Sequence, residues 1–371
     1  MSHPKPPKSV DFVFLGLIAG LVVVGFFIFS SASLGLLARS SASLGSVAFS
    51  QFFFGVIGGS LALLITANIF YRNWRQYALY IFLAAVGMTL LVFVPGLGMT
   101  HGGATRWLDL GFTTVQPSEF LKIAFVIYVA TLFSGTHRQI DTWRWGVFPF
   151  IGVLAVVAVI TLSLPDTDTF VIMATAGLVM FIIAGAKLRH VAILITAAIV
   201  LIVVMAMSHD YVMNRITTFL NPEADGQASG YQIQQSLIAV GSGGWFGRGY
   251  GQSIQKFNYL PEPIGDSIFA VYAEEFGFVG SVLLVIVFAI FTFRGYRIAS
   301  QASDVFGMLL VTGFMTMIAV QTFLNIAAMI GVAPLAGLPL PFISHGGTAL
   351  LAVLASLGIV LNVSKYRISQ R

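Results

Sequence analysis

The chain alternates long apolar runs with short polar breaks, and about ten of the runs reach the roughly 20 helical residues needed to cross a hydrocarbon core of about 30 Å. Their limits are residues 12–34, 47–69, 76–95, 116–134, 146–164, 168–185, 189–208, 266–293, 305–331 and 342–363. The pattern predicts an all-α polytopic membrane protein, a single transmembrane domain over residues 1–371. Only Pro165-Asp-Thr-Asp168 separates the fifth and sixth runs, so a single broken helix is the alternative there. Between the seventh and eighth runs a polar, glycine-rich stretch, 209–265, predicts one large loop. Two other polar segments stand out, Met99 to Glu119 and Gly331 to Thr348. Irregular backbone near membrane depth is tolerated only where protein buries it or where it lines an aqueous cavity, so these three segments are expected to cap one cavity together.

Composition strengthens this reading. Of 371 residues 57% are hydrophobic and 9% charged, with a mean hydropathy of +0.92, whereas a soluble domain carries about 25% charged residues. Orientation follows from the cations. With the N-terminus inside, the inner segments hold Lys5, Lys8, Arg72, Arg75, Arg138, Arg144, Lys187, Arg189, Arg294, Arg297, Lys365, Arg367 and Arg371, and the outer side keeps Arg39, Arg106, Lys122, Arg215, Arg248 and Lys256. The positive-inside rule therefore predicts cytoplasmic tails at 1–11 and 364–371 and an extracytoplasmic 209–265 loop. The net charge of +5 reads as topology, not as nucleic-acid binding. The first apolar run is longer than the usual 7–15 residues of a signal peptide, so it is read as the first span. No cysteine occurs, which excludes disulfides and thiolate metal sites. No internal repeat is visible, which weighs against transporters built from inverted halves. Gly16-x-x-x-Gly20 and Gly55-x-x-x-Gly59 read as helix-packing spacings.

The candidate chemistry lies at the end of the large loop. Asp266 stands at the mouth of the eighth run and is followed at helical spacing by Glu274 and Glu275. A charge within a span costs on the order of 2.5 to 3.5 kcal/mol on insertion scales, so such acids usually have a use. A partly desolvated Asp266 can take a hydroxyl proton near neutrality; the alternative is a helix N-cap. Gln116-Pro-Ser-Glu-Phe-Leu-Lys122 opens the fourth run, with Pro117 where no donor is needed and Glu119 and Lys122 spaced to pair. Arg106, Arg215, Arg248 and Lys256 are candidates to converge on a phosphate, Arg106 being alternatively an interfacial belt residue. The glycine-rich 241–251 stretch follows a helix-like run and matches no nucleotide motif, so it is read as a sharply turned loop against a lipid head group. The six histidines show no zinc spacing. Asp166 and Asp168 are weak candidates for a hard cation, or for capping the sixth run.

Several motifs in one order resemble the SEDS family (shape, elongation, division and sporulation), the polytopic peptidoglycan glycosyltransferases that include FtsW and RodA. They are Arg106-Trp with Gln116-Pro-Ser-Glu119; Arg215-Ile-Thr-Thr-Phe-Leu-Asn-Pro222; Tyr231-Gln-Ile-Gln-Gln-Ser236; Gly251-Gln-Ser-Ile-Gln-Lys256; Tyr259-Leu-Pro-Glu262; Gln321 to Asn325; and Pro339-Leu-Pro-Phe-Ile-Ser-His-Gly-Gly347. The match covers nearly the whole chain and leans to the FtsW branch. Four positions depart from the family pattern: Asp168 where glycine is usual, Gly265 for threonine, Ser267 for phenylalanine and His345 for tyrosine. The resemblance implies polymerisation of lipid II outside the cytoplasmic membrane, at the division septum, with Asp266 as base and release of undecaprenyl pyrophosphate. It implies pyrophosphate contacts from Arg106, Lys122, Arg215, Arg248 and Lys256, and a cavity shaped by Gln116, Ser118, Glu119, Gln235, Ser236, Glu262, Ser344 and His345. No organic cofactor is implied; a divalent cation, Mg or Mn, is the inorganic candidate. The implied partners are a class B penicillin-binding transpeptidase and other membrane proteins of the division machinery. Two rival readings are a lipid II flippase and a division scaffold without catalysis.

Overall fold

A computed structural model describes residues 9–38, 45, 47–101, 104–109, 111, 114–208, 210–221 and 229–368. The helices are α1 (Phe12–Ser33), α2 (Gly59–Asn68, continuing a π-helical Ser50–Gly58), α3 (Tyr71–Leu90), α4 (Pro117–Gly135), α5 (Phe148–Ser163), α6 (Thr167–Ile183), α7 (Leu188–Ser208), α8 (Asp210–Leu220), α9 (Ser229–Ser242), α10 (Ile268–Ser300), α11 (Val305–Met329) and α12 (Gly347–Lys365). Among the described residues, eight helical segments are long and apolar enough to cross a membrane, and Thr167–Ile183 and Leu188–Leu201 are apolar but shorter. Each of the ten runs of the sequence thus contains a helix, the sixth being the short Thr167–Ile183.

Helix starts follow the chain chemistry. Asp11 caps α1 by accepting from Phe14 N at 3.0 Å, Asp304 caps α11 by accepting from Gly307 N at 2.7 Å, and Pro117 occupies the first turn of α4. Helices α4, α11 and α12 form the buried centre; α1, α2, α3 and α10 carry mostly exposed apolar side chains, as lipid-facing helices do. Gly55 and Gly59 face Leu350 and Leu354 of α12 closely, as their spacing predicts, whereas Gly16 and Gly20 face open space, so that pair does not pack within the chain. At one end of the bundle Asp11 accepts from Arg294 at 2.7 Å and Arg367 at 2.8 Å, and Arg72 pairs with Asp304 at 2.7 Å. The loops considered below lie at the other end.

Two features differ from the sequence reading, and a third decides between its two readings of the fifth and sixth runs in favour of separate helices. Segment 98–115 forms a small antiparallel sheet, β1 (Gly98–His101), β2 (Ala104–Asp109) and β3 (Thr114–Val115), so the protein is nearly, not wholly, all-α. Strands of two to six residues are too short to leave a legible alternation. The 209–265 stretch is not one loop, because it contains α8 and α9; residues 209 and 222–228 lie outside the described residues, as do most of the 1–11 tail and the end of the 364–371 tail. Finally, α5 and α6 are two helices packed on each other, with the chain turning at Pro165 (φ 27°).

Candidate active site

Asp266 precedes α10, whose N-cap is Ser267, so its carboxylate is not consumed in capping. Its backbone is held from three sides. Asn325, buried on α11, donates through Nδ2 to the Asp266 carbonyl at 2.8 Å and to the Leu338 carbonyl at 2.7 Å. Ser344 Oγ donates to the Gly265 carbonyl at 2.7 Å, and His345 N donates to the Ile264 carbonyl at 2.7 Å. On the near side, the Glu262 carbonyl accepts from Gly265 N and Ser267 N, closing a turn in which Glu262 itself takes φ 45°. Gln232 of α9 donates to Ser267 Oγ at 2.9 Å. Segment 337–346 is itself anchored by Gln51, which donates to the Ser344 carbonyl and accepts from Gly346 N.

Gly337 marks the point where charged groups converge. A Cβ built there would sit 3.6 Å from Asp266 Oδ2, 4.0 Å from Arg106 Nη1 and 4.0 Å from Asp168 Oδ2. Arg215 Nη1 donates to both Asp168 oxygens at 2.8 and 2.9 Å, and Gly337 N donates to Asp168 Oδ2 at 3.1 Å. Arg106 donates to the Leu164 and Pro165 carbonyls, with Nη1 4.0 Å from the buried Asp166. Burial pushes the Asp266 carboxyl up to about 7, helped by the charges of Glu262 and Asp168 and opposed by Arg106 and Arg215. Burial likewise raises Asp166 against the pull of Arg106. The arrangement therefore joins a carboxylate able to exchange a proton near neutrality with two guanidinium groups beside it.

Behind this cluster runs a buried polar relay. Glu119 pairs with Lys122 at 2.8 Å, Lys122 donates to Gln321 Oε1 at 3.0 Å, and Gln321 donates to the Pro339 carbonyl at 2.8 Å. The expected i,i+3 pair is thus present, and it borders a cavity of about 30 Å³ with Phe314, Met317, Val353 and Ser356, room for a water. Gln116 holds the N-cap position of α4, and Ser118 Oγ is buried with no hydrogen-bond partner among the described residues.

Not every residue singled out in the sequence comes to Asp266. Lys256 is completely buried: its Nζ contacts Glu275 Oε1 at 2.8 Å, the Gly251 carbonyl at 2.9 Å and Ser31 Oγ of α1 at 3.2 Å. Its ammonium is spent on the fold, and the expected pyrophosphate contact is corrected accordingly. Arg248, 40% exposed, pairs with Glu274 at 3.4 Å. Glu274 also accepts from Ser253 Oγ, Ile254 N and Gln255 N, so the two acids clamp the glycine-rich segment onto α10. That segment turns at Gly244, Gly247, Gly249 and Gly251, all with positive φ, and lies against Glu274 and Glu275 of α10. Ser236 is buried, donating to the Gln232 carbonyl, and Gln235 is half-buried on the same helix. His345 stacks on Phe29 at 6.0 Å, and burial pushes its imidazole down to about 4, so it is neutral at physiological pH.

The sequence did not point to Gln51 or Gly337. A lone amide in an apolar run was a legible signal for Gln51. Nothing marked Gly337. Among the described residues no three His, Asp or Glu side chains gather as a metal-holding group, and Asp168 is occupied by Arg215 and Gly337 N, so these side chains alone do not fit a cation cage.

Comparison with known proteins agrees with this architecture. The chain is 39% identical over 308 residues to the stage V sporulation protein E of Bacillus subtilis, spanning 83% of this chain and 84% of that one. It is 34% identical over 360 residues to the probable peptidoglycan glycosyltransferase FtsW of Geobacter metallireducens, spanning 97% and 96%. Its fold superposes on the rod shape determining protein RodA of Thermus thermophilus with a TM-score of 0.70 at 24% identity, over 97% of this chain and 98% of that one. It also superposes on a chain of a peptidoglycan synthase complex with a TM-score of 0.80 at 24% identity, over 96% and 97%. Because residues 12–369 match the cell cycle protein family FTSW_RODA_SPOVE, this chain, an integral membrane protein, belongs to the FtsW/RodA/SpoVE (SEDS) family.

Proposed function

We propose that the protein is a peptidoglycan glycosyltransferase that polymerises lipid II at the outer face of the cytoplasmic membrane, with Asp266 as general base. The observation that carries this is the Asp266 carboxyl, raised to about 7 and set beside Arg106 and Arg215. A base is most effective when its proton affinity lies near the working pH. Asp266 takes the proton of the acceptor sugar's 4-hydroxyl as that oxygen attacks the donor's anomeric carbon. The bond to the lipid pyrophosphate breaks with inversion, and the electron pair leaves on the undecaprenyl pyrophosphate. Arg106 and Arg215 stabilise the charge developing there, the kind of preorganised term that dominates many enzymes. The relay from Glu119 through Lys122 and Gln321 to Pro339, together with Asn325, fixes the backbone around the base and acts by positioning. A divalent cation would have to draw on substrate oxygens as well as on these side chains.

This function places the N-terminus in the cytoplasm and ten helices in or across the membrane, which puts Asp266 outside. It places the protein at the division septum with a single-span class B transpeptidase, the kind of partnership suggested by the peptidoglycan synthase complex whose chain shares this fold. Purified protein, with its cognate transpeptidase, a divalent cation and lipid II, should form glycan polymer, and the Asp266→Asn variant at matched levels should not. Polymer from both proteins would remove Asp266 as the base. Lipid II transport by the wild type without polymer, from competent substrate, would favour the flippase reading instead.

A further inference from the structure

Asp168 occupies a position that no step of the proposed reaction uses, yet it is the most heavily engaged acid beside Asp266. Its carboxylate accepts from Arg215 Nη1 through both oxygens, at 2.8 and 2.9 Å, and from the Gly337 amide at 3.1 Å. These donors come from separate parts of the fold, Arg215 from α8 and Gly337 from the segment after α11, while Asp168 itself sits in the first turn of α6. A guanidinium and a backbone amide converging on one pair of oxygens is the donor set that also suits a phosphate. Arg106 Nη1 stands 4.0 Å from the same Gly337 Cβ position, so a further cation lies beside the cluster while its own hydrogen bonds go to the Leu164 and Pro165 carbonyls. The pair is little exposed, at 20% and 13% for the two side chains, so the anion on this spot is shielded from bulk water.

We infer that Asp168 is the resident anion of a pyrophosphate subsite formed by Arg215 and the Gly337 amide, and that an incoming polyprenyl pyrophosphate displaces it. Asp168 then keeps the two donors assembled in the empty protein and competes with the ligand for them. Displacement breaks no covalent bond; the carboxylate exchanges its hydrogen bonds for water as the phosphate oxygens take over. The inference rests on the proposed glycosyltransfer for the nature of the ligand, but not for the existence of the site. It assigns Asp168 a role in tuning affinity and product release, and makes the position one that sets how tightly the leaving group is held.

The test is a double-mutant cycle on binding, with farnesyl pyrophosphate as the probe and the full chain in detergent, read by calorimetry. Asp168→Asn should bind the probe about tenfold more tightly than wild type, a change of about 1.4 kcal/mol. In an Arg215→Gln background the same substitution should gain nothing, because the competition passes through Arg215. A gain of equal size in both backgrounds would mean simple charge repulsion and overturn the inference; so would unchanged or weaker binding by Asp168→Asn. Asp168→Gly is the second variant should the asparagine fail to fold, and thermal unfolding of each variant checks that it is intact. Lipid II polymerisation by wild type separates the two ideas. Coupling without polymer keeps the anion site and removes the glycosyltransfer reading, whereas polymer without coupling does the reverse.

Discussion

Replacing Glu275 by Gln should destabilise the protein far more than any exposed ion pair would suggest. Lys256 is 0% exposed and Glu275 2%, with Nζ and Oε1 2.8 Å apart. Glu275 also accepts from Ser31 Oγ of α1 at 2.7 Å, and Lys256 donates to the Gly251 carbonyl. Glutamine preserves the volume and some hydrogen bonds but leaves an ammonium in the interior without its counter-charge. Breaking one side of a buried pair costs about 3 to 5 kcal/mol. The exposed Lys187–Asp141 pair, at 48% and 41%, is the control, and Asp141→Asn should hardly alter the unfolding midpoint. The combined Lys256→Met and Glu275→Leu variant should recover most of the loss, since removing both charges removes the desolvation problem. The assay is thermal and denaturant unfolding of purified protein in detergent. A Glu275→Gln effect no larger than that of Asp141→Asn, or a double variant no better than the single, would refute the reasoning. The pair matters for the site because Glu275 lies roughly two and a half helical turns beyond Asp266, on the helix that follows it.

The helix break inside α10 gives a second expectation: Gly277 has φ 67° and ψ −166°, and a Cβ there would collide with the Gly247 and Phe246 amide nitrogens, so Gly277→Ala should abolish folded protein in a size-exclusion profile. Asn325→Leu leaves the Asp266 and Leu338 carbonyls without their donor, roughly 1 to 3 kcal/mol each, and should lower kcat about a hundredfold with a smaller change in KM in the polymerisation assay. The raised Asp266 carboxyl sets two pH effects. The polymerisation rate should climb as pH rises through about 7 and then level, and a rate already flat from pH 5 would count against Asp266 as base. For stability the sign is opposite: the native state holds a proton on Asp266 that the unfolded chain has released above its model value of 3.8, so native stability falls as pH rises from about 4 to 7. Asp266→Asn should therefore unfold at a higher temperature than wild type at pH 8 and at a similar one near pH 4.

The apolar runs made the helical architecture legible because each span must satisfy its own backbone in lipid, and a long hydrophobic run has little other way to do so. The Glu119–Lys122 pair was legible for the same local reason, a fixed i,i+3 spacing. Convergence was not. Arg106, Asp168, Arg215, Asp266 and Gly337 come from five parts of the chain, and only tertiary packing brings them together. Lys256 shows the reverse error: its motif invited a phosphate contact, but Glu275, nineteen residues on, claims its charge in the interior. Helices α8 and α9 were hidden because they are short, 11 and 14 residues, and sit inside a stretch that is polar and glycine-bearing as a whole. Of the departures from the family pattern, Gly265 leaves room, since a Cβ there would lie 3.4 Å from Glu262 Oε2, and Ser267 becomes a link to Gln232.

The charges around Gly337 explain why a base and two arginines can share so small a space. Arg106 is held by two backbone carbonyls and faces Asp166, and Arg215 is held by Asp168. Among the described residues the ion pairs of these guanidinium groups go to Asp166 and Asp168; a pair with Asp266 would hold its carboxylate in the ionised form and make it a poor base. Asp166, Asp168, Glu262 and Asp266 together outnumber the two arginines, so the surroundings favour a proton on the most desolvated acid. In the proposed reaction an anionic donor entering the same space would add to that preference and strengthen Asp266 as a base. Departure of the pyrophosphate would remove that charge, weaken the base and let the proton escape, so a leaving group bound there would reset the site for the next sugar.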